Sequence, residues 1–322
     1  MAEAEIVAAA PAGRLPSLEA TRRTGGTALW IVLFLAPFIA LYAGFTLWPL
    51  LATVAYSLFD WDGIRPLSHF IGLGNYQKIA ADPVFWKAFT NTLIFAVLNT
   101  IIKLPPALVL AIVLTRKWLW LKRIFRTVFF VPVILPVSVA GLIFTYLLNP
   151  SNGSLNAVLR GVGLVHQPID LLGHDNTALM ALVLISVWQV FGQYLIYWMA
   201  ALQNVPDDLY EVAEIDGSGE WSKLRHITLP MIRPMAVIIT LLALVNALHV
   251  FGLVVTLTSG GPGRSTYVMS YFIYTEAFSQ IPYKYGYASA AALLFGVLAL
   301  IFVTTQGFFA RKAEILRRAY GV

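Results

Sequence analysis

Residues 89–115 read FTNTLIFAVLNTIIKLPPALVLAIVLT. The stretch holds a single charged residue, Lys103, and exceeds the roughly 20 apolar residues that a helix needs to cross the hydrocarbon core of a bilayer. Five further stretches pass the same length test. They run from about Ala28 to Leu50, Val128 to Leu148, Thr177 to Leu202, Met235 to Leu257 and Tyr287 to Phe309. The sequence therefore predicts an all-α integral membrane protein with six transmembrane helices.

The composition supports this class. The chain of 322 residues is 59% hydrophobic and 12% charged, whereas a soluble domain is about a quarter charged. The net charge of +6 does not indicate nucleic acid binding, because the basic residues lie at the ends of apolar runs, where they orient membrane helices. The chain contains 0 cysteines, which excludes a disulfide framework, a thiolate metal site and a cysteine nucleophile.

Basic residues also predict the orientation in the membrane. They gather in both termini and in the loop between the second and third spans. The members are Arg14, Arg22, Arg23, Arg116, Lys117, Lys122, Arg123, Arg126, Arg311, Lys312, Arg317 and Arg318. The positive-inside rule then puts both termini in the cytoplasm. We expect a flexible cytoplasmic N-terminal tail over residues 1–26, a six-helix domain over 27–310 and a basic cytoplasmic C-terminal tail over 311–322.

One cytoplasmic loop, residues 203–234, carries an excess of acid instead. Asp207 and Asp208 follow Pro206, which suits the first turn of a helix whose positive end the two acids complement. Gly217 is a natural helix stop because it can adopt a positive φ. A second short helix is predicted from about Glu220 to Ile227, before the chain returns to the membrane.

The first of these helices has a partly apolar stripe. Leu209, Val212, Ala213 and Asp216 are three or four residues apart and so share a face. A helix, a glycine turn and a second helix on the membrane surface would form a docking element for a soluble partner. An ordinary amphipathic surface helix is the alternative that periodicity alone leaves open.

The same loop resembles the "EAA" loop of ABC-importer permeases. The family pattern is Glu-Ala-Ala, three residues, Gly, nine residues, then Ile-x-Leu-Pro, and it is matched from Glu211 to Pro230. Val212 stands where the family has its first Ala, a small change on an apolar face that leaves the implied docking role intact. The resemblance implies that the loop is a coupling helix that docks in a cleft of an ATPase subunit. The implied contact residues are Glu211, Val212, Ala213, Asp216, Gly217, Leu229 and Pro230.

Further implications concern partners and energy supply. The chain has no Gly-x-x-x-x-Gly-Lys-Ser/Thr phosphate loop, so we expect a non-catalytic transport subunit without a cofactor of its own, with ATP and Mg bound by a partner ATPase. The resemblance implies a second homologous permease, a dimer of ATP-binding-cassette ATPases and an extracytoplasmic solute-binding protein. It also implies alternating access in the lipid of the bacterial inner membrane.

Three stretches outside the membrane are similar to the carbohydrate branch of these permeases, the maltose-type and glycerol-phosphate-type proteins. They begin at Phe70, Leu257 and Ala277. The resemblance implies that they contact the solute-binding protein, with Asn75, Tyr76, Gly260, Gly261 and Pro262 as candidates. The glycines also suit simple turns, and Tyr76 also suits an anchor at the membrane surface.

Lys103 is the first candidate for the solute path. A lysine at the centre of a membrane helix costs roughly 2.5–3.5 kcal/mol on insertion scales. No Asp or Glu lies inside any of the six predicted spans. We therefore expect its partner to be water, backbone carbonyls, the substrate or the second permease. A structural lysine held by carbonyls freed near Pro105 and Pro106 is the alternative.

Spans four and five supply the other path candidates, which are Trp188, Gln189, Gln193, Tyr197, Asn246 and His249. Gln189, Gln193 and Tyr197 are spaced at i, i+4 and i+8, so they share one helix face. Aromatic rings with amides suit a sugar, which presents apolar C–H faces and many hydroxyls. Hydrogen bonding between helices explains the amides equally well. His249 has no second ligand at metal spacing, so no metal site is expected.

The function predicted from these features is import of a sugar or oligosaccharide. An importer of glycerol phosphate or a related phosphorylated polyol is the first alternative, although a phosphate path would more naturally use arginine. A stand-alone secondary transporter is a more distant one, because it should show inverted repeats and charged relay residues. A membrane enzyme would need a catalytic constellation that the spans do not contain.

Overall fold

The computed structural model describes the backbone of residues 24–115 and 122–320, and the side chains of residues 30–115 and 123–308. The first helix begins at Thr24, inside the predicted tail, and the rest of that tail lies outside the described residues. The basic side chains from Arg14 to Arg23 and from Arg116 to Lys122 also lie outside them, as do those from Arg311 to Arg318.

Helices form nearly all of the described chain, and short π-helical turns join some of them. The helices are α1 (Thr24–Tyr42), α2 (Trp48–Tyr56), α3 (Gly74–Ala80), α4 (Pro83–Thr115), α5 (Lys122–Ile134), α6 (Val137–Leu147), α7 (Ser154–Gly161), α8 (Asp175–Leu202), α9 (Asp207–Ile215), α10 (Glu220–Lys223), α11 (Leu229–Leu248), α12 (Gly252–Leu257), α13 (Met269–Tyr274) and α14 (Tyr285–Tyr320). The π-helical turns are Ala43–Leu47, Leu224–Thr228 and Thr275–Ser279. Within the described ranges no strand forms beyond an isolated bridge between Phe59 and Phe70.

The membrane-spanning elements agree with the predicted all-α class. Among the described residues five helical segments are long and apolar enough to cross a membrane: Trp30–Tyr56, Pro83–Thr115, Asp175–Leu202, Glu220–Leu248 and Tyr285–Phe308. The sixth predicted span is a pair of helices, Arg123–Ile134 and Val137–Leu147, that meet at 98°. The expectation of one continuous helix from Val128 to Leu148 is therefore wrong. Pro136 explains the bend, because it has no N–H to donate and it disfavours helical geometry at Leu135.

The chain divides into two compact units, one up to Ala52 and one from Thr53 onward. The described side chains of the first unit are almost all exposed, including Phe34 and Phe45, as expected of a helix whose natural surroundings are lipid. In the second unit α4 packs along α8, and both contact α11. These three helices contribute to two apolar clusters, one around Phe95, Leu182 and Leu248 and the other around Leu114, Trp198 and Ile232.

A close backbone approach fixes α8 against α5. A Cβ atom added at Gly192 would lie 2.2 Å from the carbonyl oxygen of Phe129. Only glycine allows two membrane helices to approach so closely at this point, and small residues are the usual means of close helix packing in a bilayer. Gly192 therefore sets the position of the bent pair α5–α6 against α8.

Two predicted boundaries around the fifth span need correction. The short helix expected over Glu220–Ile227 is not a separate element, because α10, the turn Leu224–Thr228 and α11 form one continuous helical segment. Pro230 lies inside this continuous segment, directly after the π-helical turn Leu224–Thr228, and its missing N–H interrupts the regular helical bonding there. The fifth span also ends earlier than expected, at Leu248, and α12 begins after a break at residues 249–251.

Candidate functional site

A cavity of about 330 Å³ lies among α4, α6, α8, α11 and α12. Its apolar wall includes Phe95, Val137, Phe251 and Leu253. Its polar wall consists of Lys103, Ser186, Gln189, Gln193, Asn246 and His249. Along α4 and α8 these polar residues fall between the positions that belong to the two apolar clusters. Polar residues therefore interrupt the apolar packing at one level along these helices, and the cavity lies at that level.

Lys103 is almost fully buried, at 1% exposure. Its ammonium donates a hydrogen bond of 2.8 Å to Asn99 Oδ1, one helical turn earlier on α4. The same ammonium lies 3.9 Å from the centre of the Tyr194 ring, a cation–π contact. The expected partners, which were water, backbone carbonyls, substrate or a second chain, did not include Asn99 and Tyr194, and the structure adds these two.

These contacts belong to a network that joins three helices. Asn99 Nδ2 on α4 donates to Ser186 Oγ on α8 at 3.1 Å. Asn246 Nδ2 on α11 donates to the Tyr194 hydroxyl at 3.1 Å. Lys103 lies between these two bonds and is the only charged side chain in the network. The wall of the cavity is thus held in place by hydrogen bonds across α4, α8 and α11.

The predicted amides of α8 have different roles. Gln189 is buried and its Nε2 donates to the carbonyl oxygen of Leu135 at 3.2 Å. This bond satisfies a carbonyl group at the bend between α5 and α6. Gln193 Nε2 donates to the Tyr197 hydroxyl at 2.7 Å, so the predicted common face of these two residues is confirmed. Gln189 serves the fold as well as the cavity wall.

Two of the predicted path residues do not line the cavity. Trp188 packs its ring against Phe144 at 5.1 Å. Tyr197 lies behind Gln193 and packs edge to face against Tyr194. Two further residues line the cavity, which are Ser186, not named from the sequence, and Tyr194 of the fourth span. The position of Tyr194 on α8 gave no sign that it would contact Lys103.

His249 and Asn246 form the exposed side of the cavity. His249 ends α11, and its Nδ1 lies 2.8 Å from the carbonyl oxygen of Val245. The break in the fifth span therefore places an imidazole at the cavity rim. Within the described ranges no group of three or more His, Cys, Asp or Glu side chains is close enough to hold a metal ion.

The acidic loop forms the helix that the sequence predicts, from Asp207 to Ile215. Gly217 has a φ of +73°, the conformation that ends helices and that glycine adopts without steric penalty. The N–H of Ser218 donates to the Ala213 carbonyl at 2.8 Å, and that of Gly217 to the Glu214 carbonyl at 3.0 Å. This pair of bonds is the Schellman arrangement.

The outer face of α9 is apolar and uncovered. Val212 is 58% exposed and Ile215 is 85% exposed, and Trp221 of α10 is 72% exposed. Of the residues predicted to dock the ATPase, Glu211, Val212, Asp216, Gly217, Leu229 and Pro230 are exposed. Ala213 is buried, so it packs α9 against its own chain and its side chain does not face outward.

Two side-chain contacts connect α9 to the helical segment that leads into α11. Lys223 on α10 is buried and pairs with Glu214 Oε1 at 2.8 Å and with Glu220 Oε1 at 3.2 Å. The Tyr210 hydroxyl is hydrogen-bonded to Thr228 Oγ1 at 2.8 Å. These contacts bind α9 to the segment that continues as α11 and carries Asn246.

In the loops predicted to contact an external protein, some side chains are buried and make contacts within the chain instead. Asn75 is 1% exposed, and its Nδ2 donates to the carbonyls of Ser57 and Phe59, each at 2.9 Å. Its side chain is thus not available to a partner, whereas Tyr76 is partly exposed and donates to Ser57 Oγ. Gly260 is buried with a φ of +79°, and Gly261 and Pro262 are partly exposed. Burial raises the pKa of Tyr267, which packs beside this loop.

The helices that could cross a membrane, the polar cavity among them and the exposed helical loop define an integral membrane transport subunit. Residues 107–315 match the family described as binding-protein-dependent transport system inner membrane component, and the chain belongs to that family. It is therefore a multi-pass permease subunit of the inner membrane. The prediction of a transport subunit, as opposed to an enzyme, is confirmed.

Curated relatives share most of the chain. The probable ABC transporter permease protein YurN of Bacillus subtilis (strain 168) is 36% identical over 88% of this chain and 97% of its own length. The lactose transport system permease protein LacF of Rhizobium radiobacter is 32% identical over 88% and 94%. The arabinooligosaccharides transport system permease protein AraP of Bacillus subtilis (strain 168) is 30% identical over 85% and 87%.

A solved structure has the same fold. It is the crystal structure of a bacterial ABC transporter involved in the import of the acidic polysaccharide alginate, with a TM-score of 0.77 and 24% sequence identity. The match covers 89% of this chain and 96% of that chain. The predicted permease fold is therefore confirmed over nearly the whole chain.

Proposed function

We propose that this chain is the permease subunit of an ATP-driven importer for a sugar or oligosaccharide. Its working complex contains a second permease, two ATPase subunits and an external solute-binding protein. The proposal rests on the exposed apolar side chains of helix α9. The end of this helix is closed by a Schellman arrangement, and an ion pair binds it to the rest of the chain. Such a face on a well-ordered element indicates a missing partner.

The partner at α9 is the ATPase. Val212 and Ile215 fill an apolar groove on it, and the exposed acids Glu211 and Asp216 lie at the rim of the contact. ATP and Mg are bound by the ATPase, since this chain has no phosphate loop. Movement of the groove displaces α9, and the Lys223 ion pairs pass the displacement to α11 and to the cavity wall.

The cavity is the place where the solute crosses. Its volume of about 330 Å³ is at the lower end of the range of small-molecule sites. Amide groups of Gln193 and Asn246 bind sugar hydroxyls, and the ring of Phe95 or Phe251 covers an apolar sugar face. Relatives named for lactose and for arabinooligosaccharides support a saccharide and give the phosphorylated-polyol alternative no support.

The remaining assignments follow from orientation. Both termini are cytoplasmic, since basic residues flank them. The 203–234 loop is on the same side as the N-terminus, because four predicted spans separate the two. The segments around Tyr76 and Pro262 then face the external binding protein. Exposed residues beside them, such as Arg264, are better placed for contact than the buried Asn75.

Purification of the tagged chain from its own cells in a mild detergent tests the proposal. We expect a second permease and two copies of a phosphate-loop ATPase to co-purify in fixed proportion. The purified complex should hydrolyse ATP faster when a saccharide and the binding protein are added. A chain that purifies alone, or only with copies of itself, contradicts the proposal and makes a stand-alone transporter the better account.

A further inference from the structure

Lys103 places its side-chain amine in the wall of a cavity where no carboxylate of the described residues faces it. Its partners in the described residues are the neutral Asn99 amide and the Tyr194 ring. A buried cation without a counter-ion is unfavourable in a low-dielectric interior. The fold nevertheless orients this residue with a hydrogen bond and an aromatic contact, although a leucine would pack more simply at this position of an apolar helix.

The helices that line the cavity provide almost no acid. Across α4, α6, α8, α11 and α12 the one carboxylate is that of Asp175, at the beginning of α8. Asp175 precedes Ser186 of the cavity wall by eleven residues, roughly 16 Å along a helix. Every other polar group of the wall is a neutral amide or hydroxyl, or the imidazole of His249.

A counter-ion from a neighbouring protein cannot easily reach the ammonium. Lys103 is 1% exposed and lies beneath Tyr194, which is itself 1% exposed. A solute inside the cavity comes nearer, because Lys103 is part of the cavity wall. The field of a buried charge also extends several ångströms in a medium of low dielectric constant, so an anionic group gains from Lys103 even before the two come into contact.

We propose that the solute of this permease is a saccharide that carries a single negative charge, such as the carboxylate of a uronic acid, and that Lys103 selects it. This inference rests on the proposed import function and adds the substrate class. Amide groups of Gln193 and Asn246 bind the hydroxyls, and Lys103 supplies the counter-charge that neutral sugars do not need.

The described cavity wall has one lysine and no arginine, which favours binding of a monoanion over binding of a phosphate. One ammonium balances one negative charge, whereas a phosphate monoester carries about −1.5 to −2 at neutral pH. No arginine lies on the cavity wall, although arginine is the residue that binds phosphate with two parallel hydrogen bonds. A carboxylate or sulfonate group on the sugar matches the site, and the test below separates these from phosphates.

Solute-stimulated ATP hydrolysis by the purified complex with its binding protein tests the inference. The probes are neutral mono- and disaccharides, the corresponding uronic acids, a sulfonated sugar and a sugar phosphate. We expect a uronic acid or the sulfonated sugar to stimulate at a concentration at least tenfold lower than any neutral sugar or phosphate. Strongest stimulation by a neutral sugar or a phosphate overturns the inference but leaves the proposed function intact. Stimulation by none of them contradicts both.

Variants of the permease distinguish its own selectivity from that of the binding protein, which is the same in every assay. Lys103→Met should remove the preference for the charged solute by at least tenfold, and Lys103→Arg should keep most of it. Lys87→Met is the matched control, because Lys87 is an exposed lysine on the same helix and should not alter the preference. If Lys103→Met assembles and retains the preference, Lys103 is structural and the inference fails. If that variant does not assemble, Lys103→Gln, which keeps a hydrogen-bond donor without the charge, replaces it in the same comparison.

Discussion

The ammonium of Lys223 lies 2.8 Å from the carboxylate of Glu214 and 3.2 Å from that of Glu220. Both carboxylates are largely exposed, but the lysine is buried beneath them. The contact with Glu214 joins α9 to the helical segment that becomes α11, whereas Glu220 lies on that segment itself. We expect its main consequence to be mechanical, because it ties the loop to the fifth span.

Replacement of Lys223 by Met should therefore weaken coupling more than assembly. We expect the ATPase to co-purify in normal amounts, since the exposed apolar face of α9 is unchanged. Stimulation of ATP hydrolysis by solute should fall at least fivefold, because the hydrogen bond between Tyr210 and Thr228 is then the one remaining side-chain contact described above between α9 and the segment that becomes α11. Lys78→Met, which removes an exposed lysine from α3, is the control. Normal stimulation in the Lys223 variant would show that the ion pair does not transmit the motion.

The approach of α8 to α5 gives a prediction about stability. Gly192→Ala would place a methyl group 2.2 Å from the Phe129 carbonyl oxygen, so the helices must separate, at a cost of about 1–3 kcal/mol for overpacking. Gly296→Ala is the matched control, because nothing lies within 4 Å of a Cβ at that position of α14. Thermal unfolding in detergent should show a lower midpoint for the first variant only. Equal midpoints would mean that α5 and α8 are not held at this distance.

The absence of cysteine, 0 in the whole chain, makes the orientation directly testable. We introduce one cysteine at a time at two exposed positions, Gln203 after α8 and Ile281 before α14. A membrane-impermeant maleimide should label Ile281→Cys in cells with a permeable outer layer and Gln203→Cys only in inverted membrane vesicles. Labelling of both positions from the same side would contradict the predicted topology.

The sequence predicted the helical class and most spans because apolar length is a local property that a bilayer makes decisive. It failed where a helix breaks. Pro132 and Pro136 both lie in the third apolar run, and only Pro136 has an irregular residue before it. Whether a proline bends a membrane helix depends on partners for the freed carbonyls, here Gln189 for Leu135. That partner is distant in sequence, so periodicity could not indicate the bend.

The site was predictable to a similar extent. Lys103, Gln189, Gln193, Asn246 and His249 all line one cavity, because polar residues in apolar spans are few and tend to face inward. The contacts of Lys103 were not predictable, since they depend on the rotation of α8 that brings Tyr194 over the ammonium. Asn75 was assigned to an external contact, but the tertiary structure buries it to bind the carbonyls of Ser57 and Phe59.

Contact between α9 and an ATPase is the central claim, and site-directed crosslinking measures it most directly. A photoreactive maleimide is attached to Ile215→Cys, at a position 85% exposed in the isolated chain, in membranes that retain ATP-driven uptake. The control is the same reagent at Ile281→Cys. We predict that illumination joins a phosphate-loop ATPase to position 215 and not to position 281. Absence of any ATPase crosslink at 215 in membranes that still take up solute would contradict the account.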